Sequence, residues 1–146
     1  MSYEERNAWV FAGVSILTGI YYLSTMLGGD PSVPLVARDW KTAMLTTIGG
    51  GIVVTIVLSI AVNIVFGIVS GDTKTTSDIR DRQINRFGDY VGHSFVIIGA
   101  VGALILLMLD MPSFWVAQAI FLGFFASGCL SSIARIASYR FGFSPW

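Results

Sequence analysis

The chain has 146 residues, nine basic and nine acidic side chains and 54% hydrophobic residues, and its mean hydropathy is +0.73. A water-soluble domain of this size cannot bury that much apolar surface, so lipid must cover most of it. The balanced charge gives no basis for direct nucleic-acid binding, and the single cysteine, Cys129, excludes an internal disulfide and a two-cysteine metal or redox centre.

Four mostly apolar stretches carry no Asp, Glu, Lys or Arg: Asn7 to Gly29, Thr42 to Gly71, Tyr90 to Leu109 and Met111 to Ala134. About 20 residues at 1.5 Å rise cross a hydrocarbon core of roughly 30 Å, so each is long enough to span. The sequence therefore predicts an all-α polytopic membrane protein with one four-helix transmembrane domain. Its helices fall over about 7–28, 43–69, 90–110 and 113–137, in two helical hairpins joined by a polar loop over about 70–89. Arg6, Lys74, Arg80, Arg82, Arg86, Arg135 and Arg140 lie on the side of the termini and this loop, and only Arg38 and Lys41 lie opposite. That asymmetry predicts both termini in the cytoplasm of a bacterial plasma (inner) membrane. Aromatic residues mark both boundaries, with Trp9, Tyr90, Tyr139 and Trp146 on one side and Tyr21, Tyr22, Trp40 and Trp115 on the other.

The first helix follows an acidic opening, Tyr3-Glu4-Glu5-Arg6, with no small-residue cleavage site after it, and is read as uncleaved. Gly28-Gly29-Asp30-Pro31 stops it, since glycine suits a helix C-terminus and proline cannot continue one. The connection from Asp30 to Lys41 reads as an ordered turn without chemistry. The second stretch would measure roughly 45 Å as a continuous helix, longer than the hydrocarbon core. Gly49-Gly50-Gly51 inside it admits two readings, a hinge or a place of close helix packing.

The densest polar signal, Asp78 to Asp89, leads into the third helix. If it is helical, Asp78, Arg82, Arg86 and Asp89 share a face on which opposite charges can pair. Asp78, Arg80, Asp81, Arg82 and Arg86 are the candidates for contact with a partner, either a cytoplasmic protein or anionic lipid headgroups; the alternative is a solvated helical extension. Small residues then recur at four-residue spacing: Gly88 and Gly92, continued by Gly99 and Ala103, and opposite them Ala119, Gly123, Ser127 and Ser131. Such stripes let backbones approach, which predicts close packing of the third helix on the fourth, or a seam between two copies of the chain.

His93 is the only histidine. It lies one turn beyond Asp89, whose carboxylate is placed to reach the imidazole. Asn63, His93 and Ser131 lie at similar depth, roughly 6 to 10 Å inside one membrane boundary. His93, Asn63, Asp89 and Ser131 are thus the candidates for ligand contact or pH sensing, because an ionisable group in the membrane is a functional candidate by default. A lone histidine without a second strong ligand at that depth argues against metal or haem. No cofactor site, phosphate-binding loop, carboxylate pair or activated nucleophile is visible, so no catalytic residue is assigned. Asp110-Met111-Pro112 reads as a turn, and the basic and aromatic residues from Arg135 to Trp146 as an interfacial anchor.

Three segments together carry a resemblance: Tyr3-Glu4-Glu5-Arg6-Asn7-Ala8-Trp9, then Arg80-Asp81-Arg82-Gln83-Ile84 through Phe87-Gly88-Asp89-Tyr90-Val91-Gly92, and Tyr139-Arg140-Phe141-Gly142-Phe143. Across nearly its full length the chain resembles small, uncharacterised actinobacterial-type integral membrane proteins, which implies no activity. Such proteins are similar to companions of small helix-turn-helix regulators, which implies a membrane-linked regulatory role. The functional expectation is a non-enzymatic accessory or regulatory membrane protein. Its partners would be membrane lipids together with a cytoplasmic regulatory protein, a larger membrane complex or further copies of itself. The alternative expectation is a small oligomeric transporter or resistance protein with a polar cavity in the inner leaflet.

Overall fold

The computed structural model describes residues 3–70 and 78–142. These form four α-helices, α1 (Tyr3–Leu27), α2 (Trp40–Ser70), α3 (Ile79–Met108) and α4 (Ser113–Phe141), with a short 3₁₀ turn at Leu35–Ala37 between the first two. All four are long and apolar enough to cross a membrane, and there is no strand among the described residues.

The polar segment expected as a loop over about 70–89 is helical from Ile79 onward, while residues 71–77 lie outside the described part of the chain. The reason is a capping box. The Asp78 carboxylate accepts from Arg80 N at 3.0 Å, and Asp78 N donates to the Asp81 carboxylate at 3.5 Å. Donors that would be orphaned at the first turn are thereby satisfied, and the helix can start well before its apolar part. At its other end Asp110 adopts a left-handed conformation, with φ 52°. Met111 N donates to Leu106 O at 3.0 Å and Asp110 N to Leu107 O at 3.1 Å, the paired bonds of a Schellman ending, with aspartate where glycine is usual. Pro112 then opens α4 directly.

Arg38 ties the Asp30–Lys41 connection to the end of α1. Arg38 donates from Nη1 to Met26 O, from Nη2 to Asp30 O at 2.7 Å and from Nε to Val33 O at 3.2 Å. Hydrogen bonds from the backbone and side chain of Ser32, with Arg38 close by, hold the Asp30 carboxyl below its ordinary range.

The helices pack in the order α2, α1, α4, α3: α1 meets α2 and α4, and α4 meets α1 and α3, so α2 and α3 stand at the two ends. The two sequential hairpins are therefore joined through α1 and α4. At the hairpin-turn end the joint is apolar. Tyr22, Met26, Ala43 and Phe114 are buried together, with Leu35, Trp40, Met44 and Phe121 against them. The Tyr22 and Phe121 rings lie 4.5 Å apart, and Trp40 meets Phe114 edge-on at 5.8 Å. Gln118 Nε2 donates to Tyr22 Oη across the seam at 2.5 Å.

The α3/α4 contact is backbone on backbone. A Cβ built on Gly99 would stand 2.7 Å from Gly123 Cα, and one on Gly123 2.8 Å from Gly99 Cα. The α2 helix runs unbroken through Gly49-Gly50-Gly51. Only Gly51 faces a neighbour there, Thr18 of α1 at 3.1 Å, while Gly49 and Gly50 face open space.

Candidate functional site

The end of the molecule that carries the start of α1 and the end of α4 is rich in charge, and Glu5, Asp78, Asp81 and Asp89 there are used inside the fold. Asp81 is 9% exposed; besides its capping role it accepts from Tyr139 Oη of α4 at 2.8 Å. Asp89 pairs with Arg135 of α4 at 2.5 Å. The Arg135 chain lies over Gly88, where a Cβ would meet its Cγ at 2.5 Å, so the absence of a side chain at Gly88 is what allows Arg135 to reach Asp89. Its Nε, together with Asn85 Oδ1, is buried and has no hydrogen-bond partner among the described residues. Glu5 of α1 pairs with Arg140 at 3.7 Å.

One turn further in, Gly92 opens the α3 surface to α4: a Cβ there would stand 2.9 Å from Ser127 Oγ and 3.2 Å from Ser131 Cβ. Gly88, Gly92, Gly99, Gly123 and Ser127 thus lie along one α3/α4 seam, and Ser131 belongs to it.

Asn63 sits elsewhere. It binds Arg6 and Asn7 of α1, accepting from Arg6 Nη2 at 3.2 Å and donating to Asn7 Oδ1 at 3.0 Å and to Ser59 O at 2.7 Å. The Arg6 guanidinium also lies over the Phe66 ring at 5.0 Å. The expected convergence of Asn63, His93 and Ser131 is therefore not formed. Asn63 faces α1, Ser131 faces α3, and His93 is exposed on α3, which does not pack on α2. The expected hydrogen bond between His93 and the Asp89 carboxylate is not formed either. That carboxylate turns to Arg135, and His93 Nδ1 meets the Asp89 backbone carbonyl at 3.0 Å. A full guanidinium charge on the facing helix outcompetes an imidazole on the same one.

Charge pairing along α3 itself is the other expectation the structure corrects. Asp78, Asp81 and Asp89 all have other work, and Arg80, Arg82 and Arg86 make no side-chain hydrogen bond or ion pair among the described residues. All three arginines are exposed. At 100° per residue, Arg82, Arg86 and His93 fall within about 40° of one another around the helix, with Tyr90 adjacent and the buried Asp81, Gly88 and Gly92 on the opposite side. A segment with equal numbers of acidic and basic residues thus presents a basic face.

Sequence reasoning missed Tyr139, Arg135, Tyr22 and Gln118 as binding partners, because a pair formed between helices leaves no mark in the spacing of either. Among the described residues no three His, Cys, Asp or Glu side chains lie together as a metal site. Among the described residues a groove of about 490 Å³ runs between α1, α2 and α4. It is bordered by Thr18, Thr47, Gly51 and Thr55 as well as Phe121 and Phe125. The three threonine hydroxyls donate to carbonyls of their own helices. Comparison with protein-family models finds no match, and comparisons with curated proteins and with solved structures find none either.

Proposed function

We propose that the protein is a non-enzymatic accessory or regulatory component of a bacterial inner membrane, with both termini in the cytoplasm, and that it contacts a partner through the 78–89 segment. The observation that supports this reading is the separation of charge on α3: its carboxylates serve the cap, Tyr139 and Arg135, while Arg80, Arg82 and Arg86 stay exposed. Exposed ion pairs contribute only about 0 to 1 kcal/mol, so arginines without a side-chain partner among the described residues add little to the fold, and their use lies in what they meet. The cap and the seam with α4 keep that face rigid, which limits the ordering cost of binding.

The transporter alternative draws no support from the geometry, since Asn63, His93 and Ser131 face three different surroundings. The test places a photo-crosslinking residue at Gln83, exposed on the same face, in cells that make the protein at native level. A discrete protein or lipid adduct, absent when the same residue replaces the lipid-facing Leu45, is the expected result. Diffuse labelling at both positions alike would reject the contact surface. Labelling of Ser32→Cys and Ser113→Cys, but not of Gln83→Cys, by an impermeant reagent outside intact cells checks the orientation; the opposite pattern rejects it.

A further inference from the structure

Resting on the reading of 78–89 as a contact surface, we infer that its Arg82–Arg86 face binds the phosphate of an anionic phospholipid, whose acyl chains lie along the apolar residues below on the same face of α3. The face is continuous from charge to hydrocarbon. Arg82 and Arg86 are followed on one side of the helix by Tyr90, 76% exposed, by His93, also exposed, and then by Ile97, Val101 and Leu104, which are 60%, 49% and 59% exposed. Among the described residues no other helix covers it, because α3 stands at the end of the row and turns its glycine face to α4.

The depths fit a headgroup. A bilayer of about 40–45 Å with a hydrocarbon core of about 30 Å leaves roughly 5–7 Å of headgroup layer on each side. Tyr90 marks the boundary, as an exposed interfacial aromatic does. Arg86, four residues earlier, is then about 6 Å outside it, at the level of the phosphates, and Arg82 about 12 Å outside, in the water just beyond the headgroup layer. Helical side chains tilt toward the N-terminus, here away from the hydrocarbon, so Arg86 meets the phosphates from their water side and Arg82 reaches them by laying its long side chain back along the helix. A forked guanidinium matches phosphate oxygens in pairs. A soluble protein docking on Arg86 would have to displace headgroups to reach it, which favours the lipid as occupant.

The test uses the full chain in phosphatidylcholine vesicles containing a minority of phosphatidylglycerol, and reads the motionally restricted fraction of spin-labelled phosphatidylglycerol against labelled phosphatidylcholine. The expected result is roughly a tenfold preference for the anionic lipid at low salt, reduced to near parity by Arg82→Gln with Arg86→Gln and by about 1 M salt, which shortens the screening length to about 3 Å. Arg80→Gln, which removes the same kind of charge more than about 100° away around the helix, should leave the preference in place. An unchanged preference in the double variant, an equal loss with Arg80→Gln, or survival of the preference at high salt would each overturn the inference. If the double variant abolishes the Gln83 protein adduct in cells while lipid preference stays at the wild-type value, the lipid inference fails and the contact surface stands. If neither adduct nor preference changes, both fail.

Discussion

The two hairpins solve helix association differently. In α3/α4 the backbones touch at Gly99 and Gly123, and the charged end is locked by Asp81–Tyr139 and Asp89–Arg135. In α1/α2, Gly51 is the glycine that meets the other helix, the two glycines before it face outward, and a groove remains beside the threonines. Along α2, residues Thr47, Gly51, Thr55, Ser59 and Asn63 recur every fourth position, yet the threonine hydroxyls bond within α2 and only Asn63 bonds across to α1. Without a hydrophobic force between helices in lipid, contact distance and shared hydrogen bonds decide tightness. On both counts the second hairpin is the rigid platform and the first the looser attachment.

The sharpest way to break that contrast is to fill its closest contact. Gly99→Leu should lower stability by about 3 kcal/mol, since the new side chain meets backbone that cannot move aside. Gly50→Leu, into open space, should change it by no more than about 0.5 kcal/mol. Thermal unfolding in one detergent gives both values, and equal losses would erase the distinction. Next comes Asp81→Ala, which removes the capping acceptor and the Tyr139 partner together. A loss of about 2 kcal/mol is expected, against about 1 for Tyr139→Phe, where only the hydroxyl goes. Asn63→Leu should cost about 1 kcal/mol, as interhelical hydrogen bonds in membranes are modest. Hydrogen exchange in that variant should rise at the terminal ends of α1 and α2 and stay as before in α3 and α4; spread into α3 would mean the hairpins are not separate.

The smallest effect concerns Asp30. Because its folded pKa lies below the ordinary 3.8, its contribution is present above that value and lost as pH falls through the lower, folded one. The protection of the Ser32 amide, relative to its intrinsic exchange rate, should therefore fall at pH values below about 3.8 in the parent protein, whereas in Asp30→Ala it should already be lost at neutral pH. An acid-insensitive loop in the parent would remove Asp30 as its anchor.

Much of this was legible in the residues. Uncharged runs located the four helices, and glycines at four-residue spacing located the seam between the last two, because both signals lie within a single helix. The early start of α3 was left open between a loop and a helical extension, although Asp78 and Asp81 have capping-box spacing, because the charge density of Arg80 to Asp89 reads equally well as either. Partner choice was hidden for a different reason. Asp89 has Arg86 and His93 within helical reach, and only the closeness that Gly88 grants to Arg135 decides the competition. The order α2, α1, α4, α3 was likewise unreadable, since an apolar stripe facing a helix and one facing lipid have the same composition.

That order bears on how the molecule assembles. Each hairpin closes over a short stretch of chain, α3/α4 by the Asp110–Met111 turn, but the seam between them depends on pairs such as Tyr22 and Gln118, 96 positions apart. Contacts of such long range form after local ones, so the hairpins become complete units first and dock second. The chain is in effect a dimer of two unlike halves on one polypeptide. Co-expressed as separate pieces divided within residues 71–77, the halves should still find each other, at the concentration cost that covalent linkage now removes.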